Sequence, residues 1–175
     1  MRLVIYIVVA VLVGLVVVIG IMALIGSRLP KNHVASRSIF LSKSPQDVYA
    51  VIRDFANMPK WRPDVKQVDV EGPSGGPVYF REVGKHGTVN YELTEDVPAR
   101  RMVTRIRDTD LGYGGQWTYT LSAENGGTRV TIREDGEVSN VLFRFMSRYI
   151  LGQTSTIDSY LTSLANNFGE QAVPE

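Results

Sequence analysis

Between Ser139 and Gly169 the apolar residues recur at the spacing of one helix face, and this stretch constrains the rest of the chain more than any other. At 100° per residue, Leu142, Met146, Tyr149, Ile157, Tyr160, Leu164 and Phe168 share one side, flanked by Phe145, Ile150 and Leu161. Arg144, Arg148, Ser155, Asp158, Thr162 and Asn166 fall opposite. The spacing predicts one long helix, with Ser139 able to cap its start and Gly169 able to stop it in a left-handed conformation. Burying such a stripe contributes about 1.5–3 kcal/mol for each large side chain, so the helix needs a broad apolar partner surface. Gln153 interrupts the stripe near its middle and Thr156 stands at its margin. A polar group there must find a partner or face a cavity.

The turns supply the partner surface. Asn125-Gly126 is a strong two-residue hairpin signal, and centring the turn there pairs Leu121 with Val130, Tyr119 with Ile132 and Trp117 with Glu134. A turn at Lys85-His86 pairs Phe80 with Tyr91 and Val78 with Leu93. One at Pro98-Ala99 pairs Leu93 with Thr104 and Tyr91 with Ile106. Both registers make the same side of the shared strand apolar. They set Glu92 opposite Arg105 and Asp96 opposite Arg101 on a wet outer side. The inner side then carries Phe80, Tyr91, Leu93, Ile106, Trp117, Tyr119, Leu121, Val130 and Ile132.

Leu3 to Ile25 contains no charged or strongly polar side chain. As a helix it spans roughly 35 Å at about 1.5 Å per residue, enough for a hydrocarbon layer of about 30 Å with some tilt. It is longer than the apolar segment of a signal peptide, and Ala23-Leu24-Ile25-Gly26-Ser27 lacks the small-x-small cleavage pattern. We read residues 1–26 as an uncleaved single-pass anchor and 27–33 as a short linker. Residues 34–169 form the folded domain, and 170–175 are a flexible tail. Arg28, Lys31 and Arg37 against Arg2 lean toward a cytoplasmic domain.

Composition removes several classes. With 19 Lys+Arg against 18 Asp+Glu, scattered along the chain, no electrostatic footprint for nucleic acid is present. The absence of cysteine excludes disulfides, thiolate metal sites and thiol catalysis. His33 and His86 do not form a ligand-spaced cluster, so no metal or other cofactor is expected. The Gly-rich loop Asp110–Gly115 lacks the Lys-Ser/Thr of a phosphate loop and reads as a mobile connection or lid, while Gly72–Pro77 is a turn cluster.

Ahead of the strands, Ser44 caps a helix that Pro45 opens and Asp47 favours, with Val48, Val51, Ile52 and Phe55 on its apolar side. Asp54 then caps a short second helix ended by Pro59, and Trp61-Arg62-Pro63 leads toward the next strand. The segments Ser44-Pro45-Gln46-Asp47-Val48-Tyr49 and Asp54 to Pro63 resemble the opening motif of the polyketide cyclase/dehydrase family, within the START-like (helix-grip, SRPBCC) superfamily. The resemblance extends in element order over about residues 34–169. It implies an α+β helix-grip fold: a curved antiparallel sheet of about seven strands wrapped on a long C-terminal helix, here with an N-terminal transmembrane helix added.

Periodicity alone is satisfied by a solidly packed core. The resemblance implies instead an apolar cavity between sheet and helix, lined by Phe80, Tyr91, Ile106, Trp117, Tyr119, Met146, Tyr149, Gln153 and Ile157. Large aromatics, a flexible methionine and few polar groups suit a hydrophobic ligand such as a lipid, isoprenoid or polyketide-like molecule. The first expectation is therefore a non-enzymatic, membrane-anchored binding module. The second is a cyclase/dehydrase-type enzyme using Glu82 or Glu134 as a desolvated general base beside a tyrosine, although the blander reading of both, with Thr104, is a solvated rim. The third is an interaction scaffold for a membrane protein.

Overall fold

In the computed structural model, which describes residues 1–72, 76–85 and 87–175, the chain runs from one long helix into a single antiparallel sheet. Helix α1 (Arg2–Arg28) leaves its apolar side chains exposed until its last turn, where Gly26 is buried. A Cβ on Gly26 would overlap the Val141 carbonyl, so only glycine lets the later chain pack there. Strand β1 (Asn32–Leu41) follows, then α2 (Pro45–Arg53), with Ser44 Oγ accepting from the Asp47 amide as its cap. A 3₁₀ turn (Phe55–Lys60) comes next. Asp54 stands at its cap position without a capping bond, and its carboxylate accepts from the Asn57 side-chain Nδ2 instead, at 2.6 Å.

Strands β2 (Val65–Glu71), β3 (Val78–Gly84), β4 (Gly87–Val97), β5 (Arg101–Ile106), β6 (Tyr113–Glu124) and β7 (Gly127–Val138) pair as neighbours, and β1 closes the order against β7. The registers expected from the turns are found: Leu121 faces Val130, Phe80 faces Tyr91, Tyr91 faces Ile106 and Leu93 faces Thr104. At the β6–β7 turn Asn125 and Gly126 both have positive φ, as a primed turn requires. One pairing is corrected. A bulge between Leu93 and Glu95 moves Asp96 opposite Met102 and Val97 opposite Arg101. Arg101 pairs with Glu95 instead, at 2.9 Å, and Asp96 takes Tyr49 and Arg53. His86, half of the proposed Lys85-His86 turn, and the Pro73–Gly75 part of the turn cluster lie outside the described residues.

The expected single C-terminal helix is broken. Helix α3 (Val141–Met146) passes into a π-turn (Ser147–Leu151), and α4 (Ser155–Asn167) starts afresh after Gly152. Gly152 has φ 81° and ψ 140°, a conformation closed to helices and disfavoured for other residues. The cap of α3 is Asn140, whose side chain accepts from the Leu142 and Phe143 amides, rather than Ser139. At the far end Gly169 has φ 73°, and the Glu170 amide donates to Ala165 and the Gly169 amide to Asn166, the Schellman arrangement.

Helices α2 and α4 lie on the concave face of the sheet. Ile157, Leu161 and Leu164 of α4 and Val48 and Ile52 of α2 are fully buried there with Ile39, Leu41, Met102, Val130 and Ile132. Arg37 of β1 donates to Asp158 at 3.0 Å and ties the start of α4 to the sheet edge. The terminal residues expected to form a flexible tail return along β1. Glu175 exchanges two backbone hydrogen bonds with Ser38, and the Glu170 carboxylate accepts from the Ser42 amide.

Candidate functional site

The concave face carries a charged centre where its most aromatic part begins. Arg62 follows the 3₁₀ turn, its amide bonded to Met58 O, and is only 8% exposed. Its guanidinium grips Glu82 with two nitrogens (2.8 and 3.2 Å) and Asp64 with one (2.6 Å). It also lies over the Tyr160 ring, 5.3 Å from the centroid. Burial works against its charge, but Glu82 and Asp64 outweigh burial and hold it firmly protonated. Burial likewise raises the Glu82 carboxyl above its ordinary value despite Arg62. In the less buried Asp64 the hydrogen bond and charge of Arg62 overcome desolvation and lower it. Glu82 therefore points inward, as one alternative had it, yet serves as the counter-charge of Arg62 and not as a free base.

Around this centre the rings interlock. Tyr160 meets Trp61 edge-on at 5.2 Å, Trp117 at 5.7 Å and Tyr119 at 5.7 Å, while Phe80 stacks between Phe55 and Tyr91 at 4.1 and 4.9 Å. Burial pushes the Tyr119 hydroxyl up to about 12 and those of Tyr91 and Tyr160 well above the ordinary range, so all three stay protonated. Among the described residues, three buried polar atoms in this cluster have no partner of hydrogen-bonding geometry: Trp61 Nε1, Arg62 Nε and the Tyr160 hydroxyl.

A second polar centre occupies the end of the sheet where β1, β6 and β7 meet. Glu134 accepts from Trp117 Nε1 at 3.0 Å, and its other oxygen lies 3.2 Å from His33 Nε2. The imidazole rests on Gly136, where a Cβ would overlap the ring. Gly115 sits opposite Gly136, and a Cβ on Gly115 would overlap the Asp135 carbonyl, so the two strands approach closely. An open groove of about 800 Å³ begins here, bordered by His33, Ile106, Tyr113, Gly115 and Gly136. Of the Asp110–Gly115 segment expected as a mobile connection, Tyr113–Gly115 belong to β6, and Gly112 O accepts from both the Ser139 and Asn140 amides.

Of the residues singled out in the sequence, the fold gathers Phe80, Tyr91, Trp117 and Tyr119 into the aromatic cluster, sets Ile157 in the packed core and leaves Ile106 on the groove. Met146, Tyr149 and Gln153 do not join them. The break at Gly152 ends the common phase of the two halves. Tyr149 is consequently 59% exposed, Met146 stays half-buried in α3, and Gln153 lines a separate pocket beside the end of α1. Arg144, expected on the solvent side, is buried there as well. Ile157, Tyr160, Leu161 and Leu164 of α4 belong to the buried core cluster, at 0–2% exposure. Arg62, Tyr160 and His33 were not singled out as site residues. The available signals were an arginine between Trp61 and Pro63, inward-facing carboxylates at Glu82 and Glu134, and a histidine in phase with Ile39 and Leu41 on β1.

The family described as polyketide cyclase / dehydrase and lipid transport matches residues 32–168. Among solved structures, the Zhui aromatase/cyclase from Streptomyces sp. R1128 superposes with a TM-score of 0.65 at 13% identity, over 78% of this chain and 93% of the other. A START superfamily protein from Mycobacterium smegmatis gives 0.62 at 15% identity, over 77% and 96%. The di-domain aromatase/cyclase StfQ of the steffimycin pathway gives 0.63 at 12% identity over 79% of this chain, which spans only 52% of that protein's length. At these identities the likeness is one of fold. No curated protein matches the chain.

Proposed function

The chain belongs to the polyketide cyclase / dehydrase and lipid transport family, and from that premise we propose that it is a membrane-anchored module binding a hydrophobic small molecule with a polar end. The observation that carries this reading is the trio of unpartnered buried atoms, Trp61 Nε1, Arg62 Nε and the Tyr160 hydroxyl, set among aromatic rings. Leaving a buried donor unmade costs about 1–3 kcal/mol, a cost that a carbonyl, carboxylate or phosphate on an apolar ligand would remove. An open groove lies at the neighbouring end of the sheet beside His33, Ile106 and Gly115, and within the cluster half-buried Tyr91 and Trp117 offer ring faces to an apolar body. Residues 1–26 act as the anchor: the apolar window of α1 is exposed along its length and long enough to cross a bilayer. A tether there keeps the domain in contact with a lipidic ligand supply.

The test uses the chain's two tryptophans, Trp61 and Trp117, which both stand in the cluster. Purified protein extracted with organic solvent and analysed by mass spectrometry is expected to yield an apolar compound near one per chain. Titration with anilinonaphthalene sulfonate, an aromatic anion, is expected to quench both tryptophans in wild type and at least tenfold more weakly in Arg62→Gln. No extracted compound, together with unchanged tryptophan emission, would remove the binding reading.

A second reading rests on the His33–Glu134–Trp117 arrangement. A carboxylate held by an indole N–H and facing one imidazole nitrogen can orient that ring as a general base at the mouth of the groove, supporting an aldol-type cyclisation or dehydration. Loss of turnover of a polyketide-like substrate in Glu134→Gln, with ligand retention unchanged, distinguishes this reading from simple binding.

A further inference from the structure

Seven arginines elsewhere in the domain, Arg62, Arg81 and Arg129 among them, are held by carboxylates. At the end of α1 the pattern reverses. Among the described residues Arg28, Lys31, Arg144 and Arg148 make no ion pair. Lys31, Arg144 and Arg148 line one pocket of about 310 Å³ between the linker after α1 and the α3–π-turn segment, and no Asp or Glu borders it. Arg144 is 9% exposed. One terminal nitrogen donates to Leu29 O at 2.8 Å and the other to Ser139 O at 3.2 Å, which fixes the guanidinium plane, while its buried Nε has no partner among the described residues. A buried cation without a counter-charge is unfavourable, and an anion in this pocket would supply one.

The position of the pocket identifies the source of that anion. Gly26, on the last turn of α1, is in contact with the Val141 carbonyl, so α3 lies against the point where the apolar helix ends. Phe143, Tyr149, Ile150 and Leu151, on the same segment as Arg144 and Arg148, are 48–61% exposed. Apolar side chains beside unpaired cations, next to the end of a spanning helix, match the boundary between acyl chains and phosphates. Resting on the anchored reading above, we infer that this pocket seats the phosphate of a bilayer lipid, with Lys31, Arg144 and Arg148 as its cationic partners and the Tyr149–Leu151 turn against the acyl chains. His33 borders both this pocket and the groove, so the seated lipid stands at the threshold of the ligand site.

The full-length protein is reconstituted in nanodiscs of phosphatidylcholine with 30% phosphatidylglycerol, and lipid retained after transfer to detergent is counted by native mass spectrometry. One phosphatidylglycerol per chain is expected in wild type. At least a tenfold loss is expected in Lys31→Gln/Arg148→Gln, which leaves the Arg144 contacts to Leu29 and Ser139 intact. Equal retention by wild type and this variant, or none by wild type, would overturn the seat. Inorganic phosphate displacing the lipid at comparable concentration would overturn its assignment to a lipid. Alkaline carbonate washing of the same membranes reports the anchor separately. Release of wild-type protein would overturn the anchored reading, whereas retained protein without bound lipid overturns the seat alone.

Discussion

At the residue scale, Arg62 shows how a buried charge is tolerated. One guanidinium serves two carboxylates, and the more deeply buried of the two, Glu82, receives both nitrogens. Arg62→Met strands Glu82 beneath the aromatic cluster and is expected to destabilise the protein by about 3 kcal/mol, because a lone buried charge is worse than none. Removing both members in Arg62→Met/Glu82→Leu should recover most of that loss. Denaturant unfolding of the three proteins measures the difference, and an additive double variant would contradict the account. Asp64 adds a pH term. Its carboxyl is lowered, so its contribution is fully present above the ordinary value of about 4 and disappears as pH falls through the lowered one.

At the element scale, the C-terminal segment is two helices because of one backbone position. Gly152 adopts φ 81° with open space around its Cα, so a methyl there meets no neighbour but must take a disfavoured conformation. Gly152→Ala is expected to cost about 1–3 kcal/mol, read as a lowered Tm. Were the break merely tolerated, this substitution would be neutral or stabilising. The β6–β7 turn obeys the same logic. Asn125 and Gly126 carry φ 47° and 78°, and Gly126→Val is expected to cost about 1–2 kcal/mol. The hairpin registers were legible in the sequence because a two-residue turn fixes its pairing and alternation checks it. The bulge at Leu93/Glu95 was not, since the loop between Val97 and Arg101 is one residue longer than a two-residue turn and the bulge offsets it, leaving Tyr91 and Leu93 opposite the same partners. The break at Gly152 was hidden for a related reason: the stripe keeps its 3.6-residue period across a gap that only backbone conformation reveals.

At the scale of the whole molecule, the concave face is held by rings whose hydroxyls resist ionisation. Tyr119 is raised to about 12 by burial, so it ionises more readily in the unfolded chain. Its contribution to stability is complete below about pH 10, where the unfolded hydroxyl is still protonated, and is lost as pH rises toward 12. Alkaline unfolding followed by tyrosinate absorbance should show these hydroxyls ionising together with loss of fold; their ionisation in the intact protein would contradict the burial.

The sequence by itself determined the layout, namely an apolar N-terminal helix, hairpins with an apolar inner side and a family motif at residues 44–63, because those signals are local or repeat with a fixed period. Which polar groups meet inside was decided only in three dimensions. Arg62 and Glu82 are twenty residues apart, His33 and Glu134 one hundred and one, and Arg144 and Leu29 one hundred and fifteen. Each pairing depends on strand order and on where the chain crosses the concave face, and no periodicity along the chain encodes either.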